Sequence, residues 1–230
     1  MPKTRKQKPL LRFAVLAVDA ALFTLHDKQL WVRLIRVHRP PYFRNAWGFP
    51  GGLIHPDETA EDAVHRHLNA KAHIAESKLY MEQLHAFSAV DRDPRGRVVS
   101  VAYLALTPWD ALSRREKNDA PDARWVPADD TQTLAYDHNE ILTAALTRLS
   151  SRAASTTILS AMMPDEFTLT EIEHAYELVV KKDLDKRNFR KKILKLKILA
   201  PLSKKRAGER ARPAALYRFA SPRVVEINAL

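Results

Sequence analysis

The fold of this chain is decided by residues 52–74, which read GLIHPDETAEDAVHRHLNAKAHI. Small and aliphatic residues recur there at helical spacing: Ala60, Ala63, Val64 and Leu68. Such a stripe is typical of a helix with one buried face, and we predict that this helix starts near Glu58. A glycine pair, Gly51 and Gly52, comes just before it. The stretch therefore predicts a glycine turn that leads into an amphipathic helix.

Three positions on the predicted helix decide what chemistry it can support. His67, Ala70 and Lys71 stand at i, i+3 and i+4, so they share one face. Carboxylates clustered in that geometry would hold divalent metal ions, which neutralise a diphosphate and activate water. A methyl group and an ammonium cannot coordinate magnesium. We therefore predict no catalytic residues and no metal-dependent hydrolysis at this helix.

The spacing of the stretch resembles a Nudix box, the loop and helix with which Nudix enzymes hydrolyse nucleoside diphosphates. Five positions keep the register of the box: Gly52, Glu58, Arg66, Leu68 and Ile74. The remaining acidic positions of the box are occupied in this chain by His67, Ala70 and Lys71. Residues 46–52 (AWGFPGG) and 91–103 (DRDPRGRVVSVAY) also resemble segments of Nudix proteins and their regulatory relatives. The resemblance implies an α/β fold, an αβα sandwich around a mixed sheet; the alternative is an ordinary loop and helix.

Histidines near the box do not predict a metal site. His65, His67 and His73 lack the i, i+4 spacing of a helical zinc pair, and solvated or core histidines are far commoner. We predict no metal and no cofactor.

Charge is distributed unevenly along the 230 residues, whose net charge is +11. Residues 1–12 carry five Lys or Arg and no acid, and residues 13–152 carry 17 basic and 18 acidic groups. Residues 153–230 carry 16 basic and nine acidic groups. A positive excess confined to the ends favours a polyanionic partner, with a solvated surface as the alternative. The chain has no cysteine and no apolar run of about 18 residues, so we expect neither disulfides nor a membrane span. The cytoplasm is the expected compartment.

The charge distribution divides the chain into three predicted segments: a basic N-terminal arm (1–12), a nearly neutral domain (13–150) and a basic domain (151–230). Predicted strands cover 13–25, 30–37, 79–90, 98–107 and a short stretch around Trp125, and a helix covers 138–149. Residues 150–155 form the junction. Their Ser and Ala content fits either a linker or a continuing helix.

The C-terminal segment has the layout of a winged helix-turn-helix. Residues 170–173 (TEIE) form a capping-box pattern ahead of one helix, and Asp185 is a plausible N-cap for a second. Phe189, Ile193 and Leu196 make the inward stripe of that second helix. Two short strands, 198–202 and 215–219, flank a basic loop.

Basic and amide side chains on the second helix and the loop are candidates for DNA contact, because they can reach base edges in the major groove and phosphates beside it. The candidates are Lys186, Arg187, Asn188, Arg190, Lys191, Lys204, Lys205, Arg206, Arg210 and Arg212. The alternative is an amphipathic helix and solvated hairpin that serve as an oligomerisation arm.

Taken together, these segments resemble the Nudix-related transcriptional regulators, a bacterial family that joins a Nudix-fold effector domain to a winged helix. Four further stretches carry the resemblance: 134–141 (LAYDHNEI), 167–171 (FTLTE), 184–192 (LDKRNFRKK) and 212–217 (RPAALY). The resemblance implies a homodimer, most simply a repressor, that binds a palindromic double-stranded operator. It also implies a small-molecule effector, either ADP-ribose or another NAD-related metabolite, or a sugar.

A phosphate-bearing effector can bind without metal, because guanidinium groups engage phosphate bidentately and aromatic rings can line a pocket. The candidate effector-binding residues are Arg39, Phe49, Gly51, Gly52, Arg66, Arg92, Arg95 and Tyr103. Arg66 has an alternative role as a structural brace that pairs with Glu58.

Two other functions compete with the regulator. One is a Nudix hydrolase of ADP-ribose or a related compound with a basic accessory domain, which requires magnesium-dependent turnover. The other is a non-specific binder of RNA or single strands, which would favour aromatics interleaved with basic residues. Phe189 and Tyr217 are predicted to be core residues instead.

Overall fold

The structure is a computed structural model that describes residues 13–75, 79–206 and 213–227. The predicted N-terminal arm (1–12) and two candidate DNA contacts, Arg210 and Arg212, lie outside the described residues.

A seven-stranded mixed sheet forms the N-terminal domain. Its strands are β1 (Val15–His26), β2 (Gln29–Arg39), β3 (Phe43–Gly48), β4 (Gly51–Leu53), β5 (Tyr80–Phe87), β6 (Val98–Leu106) and β7 (Ala123–Pro127). The main path runs β3-β2-β1-β6-β5, with β4 paired to β1 and β7 paired to β2. β1 and β6 are parallel and the other pairs are antiparallel. The strands predicted from the sequence are therefore confirmed, with small shifts at their ends.

Helices cover both faces of the sheet, because successive side chains of a strand point to opposite faces. In β1, Val18 and Leu22 pack in the same buried cluster as Val64 and Leu68 of α1 (Ala60–Ala72). The alternate residue Phe23 joins the cluster of α3 (His138–Ser155) on the other face. The predicted αβα sandwich is confirmed.

Helix α1 starts two residues later than the sequence suggests. Thr59 is its N-cap, and the Thr59 side chain accepts a hydrogen bond from the backbone N–H of Asp62, whose carboxylate bonds back to Thr59. This reciprocal capping box fixes the start at Ala60 and leaves Glu58 in the preceding turn. A one-turn helix, α2 (Arg114–Lys117), follows β6.

The C-terminal domain is a small winged helix. It contains β8 (Phe167–Thr168), α4 (Leu169–Val180), α5 (Lys186–Lys195), β9 (Leu199–Arg206) and β10 (Ala214–Phe219), with strand order β8-β10-β9. Asp185 caps α5 as predicted.

Two boundaries in this domain differ from the prediction. The capping box of α4 joins Thr168 to Glu171 rather than residues 170 and 173, because Thr168 has the extended backbone of an N-cap. Strand β9 continues through Arg206, so that Lys204, Lys205 and Arg206 lie on the hairpin instead of in the loop.

The junction between the two domains is helical, since α3 runs without a break to Ser155. One buried cluster extends from Phe23 and Ile141 through Ile158 to Tyr176 and Ile193, so the sheet and the winged helix share a core. No helix within the described ranges is long and apolar enough to cross a membrane.

Candidate functional site

A cavity of about 500 Å³ opens at the edge of the sheet where β1, β2, β4 and α1 meet the residues just before α3. Six of the eight predicted effector contacts line this cavity: Arg39, Phe49, Gly51, Gly52, Arg92 and Arg95. Sequence reasoning missed several other lining residues, among them Asp19, His67, Lys71, Tyr136 and His138. The cavity is thus rich in cations and histidines.

Arg66 and Tyr103 do not line the cavity. The Arg66 guanidinium donates to Glu58 through Nε at 2.8 Å and to the Leu53 carbonyl through Nη2 at 3.0 Å. The bond from Arg66 lowers the pKa of Glu58 to about 2. Arg66 therefore occupies the bracing role that the sequence left as its alternative. Tyr103 is buried in the core beneath α1, on the α1 face of the sheet.

A buried ionic network forms one wall of the cavity. Arg92 makes a bidentate pair with Asp137, through Nε at 2.8 Å and Nη2 at 2.6 Å, and its Nη2 also lies 3.3 Å from Asp19. Ser100 donates to the same Asp19 oxygen, Oδ2, at 2.6 Å. Because Asp137 is the N-cap residue of α3 and Asp19 belongs to β1, the network ties the start of α3 to the centre of the sheet.

His138 completes the network as a neutral imidazole. Its Nδ1 accepts a hydrogen bond from the backbone N–H of Phe49 at 2.8 Å, so the ring proton is on Nε2, 3.3 Å from Asp19. Burial alone would raise the pKa of Asp19, but His138, Ser100 and Arg92 together lower it. Asp19 is therefore a buried carboxylate anion in a cavity that several cations line.

The face of α1 that would hold metal in a Nudix hydrolase does not fit a metal ion. Lys71 Nζ donates to the Gly51 carbonyl at 2.5 Å, and His67 Nε2 donates to the Leu53 carbonyl at 3.1 Å. Burial, followed by repulsion from Lys71, lowers the pKa of His67 to about 4. Ala70 offers only a methyl group. In the described part of the chain, no group of three or more His, Cys, Asp or Glu is placed to bind a metal.

The candidate DNA surface is the exposed side of α5. Phe189 and Ile193 are buried against α4, which leaves four of the candidates exposed: Lys186, Arg187, Asn188 and Lys191. Arg187 and Lys191 make no ion pair within the described residues. Their charge is therefore free to meet phosphate or base edges.

Four of the candidates on this surface have partners, one of them Lys186, whose ammonium lies 3.6 Å from the Glu173 carboxylate. Arg190 donates to the buried carboxylate of Glu173 at 2.9 Å and to Thr170 at 3.1 Å. Lys204 and Arg206 form ion pairs with Glu166 and Glu171, respectively. Lys205 is exposed on β9. The pairs hold the β9–β10 hairpin against the start of α4.

The missed cavity residues left only weak signals in the sequence. Asp19 is a lone carboxylate within the apolar strand 15–25, which indicates a buried role but no partner. Asp137 and His138 lie in residues 134–141, a stretch that resembles the regulator family but has no local pattern that indicates a binding role. Their partner Arg92 is 45 residues away from Asp137, a pairing that no local pattern encodes.

The fold and cavity together define a Nudix domain joined to a winged helix, the class of Nudix-related transcriptional regulators. Sequence profiles agree: the NUDIX domain profile matches residues 15–146 and that of the NrtR DNA-binding winged helix domain matches residues 160–219. The chain is 32% identical to the ADPR responsive transcriptional repressor NtrR of Acinetobacter baylyi over 90% of this chain and 82% of the relative. The chain belongs to the NrtR family.

Solved structures of a relative support the same assignment. NrtR of Shewanella oneidensis complexed with a 27mer DNA superposes with a TM-score of 0.78 at 35% identity, covering 90% of this chain and 94% of that one. Its isolated NUDIX domain complexed with ADP ribose gives a TM-score of 0.52 at 36% identity, covering 63% and 94%.

Proposed function

We propose that this protein is a transcriptional repressor that binds operator DNA through its winged helix and releases it when ADP-ribose, or a closely related NAD-derived metabolite, enters the cavity. The observation that carries the proposal is the combination in one chain of a cation-lined cavity and an exposed basic helix that share a core. A sugar effector, the other class considered, has no anionic group to interact with the cations that line the cavity.

DNA contact is assigned to the first turns of α5. Arg187 and Asn188 are placed to reach base edges, while Lys186 and Lys191 meet phosphates. Lys205 of β9, with Arg210 and Arg212 outside the described residues, extends the basic surface along the duplex. A homodimer would set two copies of α5 about one helical turn apart on a palindromic operator. Such a protein acts in the cytoplasm, where the bacterial chromosome lies.

Effector contact is assigned to the cations of the cavity. Arg39, Arg92 and Arg95 surround an opening into which Gly51 and Gly52 present bare backbone. Tyr136 lies half-buried at the rim, with Arg95 5.8 Å from its ring centroid, and offers a flat face to a base or ribose. These groups suit a ligand that carries both an anion and a ring.

Helix α3 supplies a physical route from the cavity to the DNA surface. Its first residue, His138, lines the cavity, its N-cap residue Asp137 is held by Arg92, and the helix packs on α4. A ligand that engages Arg92 or His138 changes how the start of α3 is held, and a rigid helix carries that displacement to α4 and α5. The effector acts only to the extent that it binds one arrangement better than the other.

Hydrolysis is not expected to accompany binding. His67, Ala70 and Lys71 provide no carboxylate for magnesium, so the domain senses its ligand without consuming it. The rival assignment, a hydrolase with a basic accessory domain, requires magnesium-dependent turnover of the ligand.

The test is binding of the purified protein to the DNA upstream of its own gene, at about 150 mM salt with excess competitor DNA, with and without ADP-ribose. We expect specific binding that ADP-ribose reverses, and no AMP released from ADP-ribose in the presence of Mg²⁺. Specific DNA binding that ADP-ribose does not change would support the repressor but reject ADP-ribose as its effector. Turnover with no specific DNA binding would establish the hydrolase.

A further inference from the structure

Lys71 lies on the cavity side of α1, at one of the three positions that the Nudix box reserves for metal-binding carboxylates. Its ammonium reaches across to the Gly51 carbonyl at 2.5 Å and lines the cavity together with Gly52. An ammonium has three donors, and the carbonyl takes one. Two N–H bonds of Lys71 therefore remain for a ligand.

Two of the other cations that line the cavity are paired with carboxylates, whereas Arg39 is exposed and donates to the His38 carbonyl. Arg92 is paired with two carboxylates, and Arg95 is paired with Asp93 at 2.7 Å. Lys71 has no carboxylate within 4 Å among the residues that the structure describes. Lys71 is thus a partly buried positive charge that the protein itself does not neutralise by a direct ion pair.

The surroundings of Lys71 favour an incoming anion. Burial is the main reason that the pKa of Lys71 is lowered; Arg39, Arg66 and Arg95 lower it further, and Asp19 opposes them. An anionic ligand between these cations would offset both the cost of burying the Lys71 ammonium and its repulsion by the arginines. Gly52 keeps the approach open, because a Cβ at that position would come within 2.9 Å of Lys71 Nζ.

We infer that the Lys71 ammonium takes the place of the divalent metal and binds the diphosphate of the effector directly, so that ligand binding is independent of metal. This inference rests on the proposed function, since it assumes a diphosphate-bearing ligand. A single ammonium offsets part of the negative charge of the diphosphate but bears no activated water, so the same substitution separates binding from hydrolysis.

The experiment is calorimetric titration of the full-length protein with ADP-ribose and, separately, with inorganic pyrophosphate, in EDTA and in Mg²⁺. Wild type should bind ADP-ribose equally in both buffers. Lys71→Met should weaken binding in EDTA at least tenfold, and Lys71→Glu more, whereas Lys71→Arg should stay within a few fold of wild type. Lys182→Met, at an exposed lysine between α4 and α5, is the matched control and should bind as wild type does. Thermal unfolding and operator binding report whether each variant is folded.

The outcomes separate the inference from the proposed function. If ADP-ribose binds only in Mg²⁺, the role of Lys71 is overturned and the effector is kept. The same conclusion follows if Lys71→Met and Lys71→Glu leave metal-free binding of ADP-ribose unchanged. Metal-free binding of pyrophosphate that depends on Lys71, with no binding of ADP-ribose, would keep the role of Lys71 and reject the effector. Binding of neither ligand in either buffer would overturn both.

Discussion

Glu173 on α4 and Arg190 on α5 form the ion pair that joins the two helices of the winged domain. The Glu173 carboxylate is buried, and Arg190 Nε donates to it at 2.9 Å while the Lys186 ammonium lies 3.6 Å away. Arg190 thus belongs as much to the interior of the domain as to its DNA surface. The two arginines of α5 therefore have different roles, and substitution separates them.

Arg187→Ala should lower specific operator affinity by roughly 10- to 100-fold, the loss of about 1–3 kcal/mol that one base contact provides. Its side chain is exposed and makes no ion pair within the described residues, so the unfolding temperature should stay unchanged. Fluorescence anisotropy with labelled operator and competitor DNA measures the affinity. Unchanged affinity would remove the first turn of α5 from the DNA contact.

Arg190→Ala should behave differently, because it leaves the buried Glu173 carboxylate without its closest partner. We expect a loss of about 1–3 kcal/mol in the free energy of unfolding, measured by chemical denaturation. The double change Arg190→Ala with Glu173→Gln should recover part of that stability. If Arg190→Ala weakens DNA binding with no loss of stability, Arg190 is a direct DNA contact after all.

Arg92→Lys should destabilise the Nudix domain by roughly 1–3 kcal/mol, since an ammonium cannot bridge two carboxylates in the geometry of a guanidinium. Asp19 and Asp137 would then be buried with incomplete pairing. Arg97→Lys is the control: Arg97 is exposed and bonds only to backbone carbonyls, so its change should stay within about 0.5 kcal/mol. Equal stability of the two variants would mean that the buried network contributes little.

The difference between local and long-range pairing explains how much the sequence could predict. Apolar periodicity and capping residues placed α1, α5 and the strands to within a few residues, because these signals are local. The cavity chemistry depends on contacts such as Arg92–Asp137 and His138–Phe49, which join residues 45 and 89 positions apart. A charged side chain in the sequence carries no mark of whether it faces solvent or a buried partner, which is why Arg66 and Arg92 looked alike.

Wild-type stability should fall as the pH drops from about 6.5 towards 4, in part because of His67. Burial and the nearby Lys71 ammonium lower the pKa of His67 from its ordinary value of 6.5 to about 4 in the folded protein. The unfolded chain therefore takes up a proton in this window before the folded chain does, and the contribution is complete above pH 6.5. Urea denaturation of wild type and His67→Gln at pH 7.5, 6.0 and 5.0 checks this. As the pH falls through this window, the unfolding free energy of His67→Gln should drop by roughly 1–3 kcal/mol less than that of wild type. If the two proteins lose stability in parallel, the ring of His67 is not buried in its neutral form.

Gly52→Ala should close the cavity from its backbone side. Gly52 has φ +154°, and an added Cβ would meet His67 Cε1 at 2.7 Å and Lys71 Nζ at 2.9 Å. We expect a loss of about 1–3 kcal/mol in stability from backbone strain and ADP-ribose binding at least tenfold weaker, with operator binding retained. Gly96→Ala is a matched control, because Gly96 has φ +157° but no atom within 4 Å of an added Cβ. It carries the same strain without the crowding, so calorimetry should find its ligand affinity unchanged. If both variants lose affinity equally, strain in the fold and not the shape of the cavity governs ligand binding.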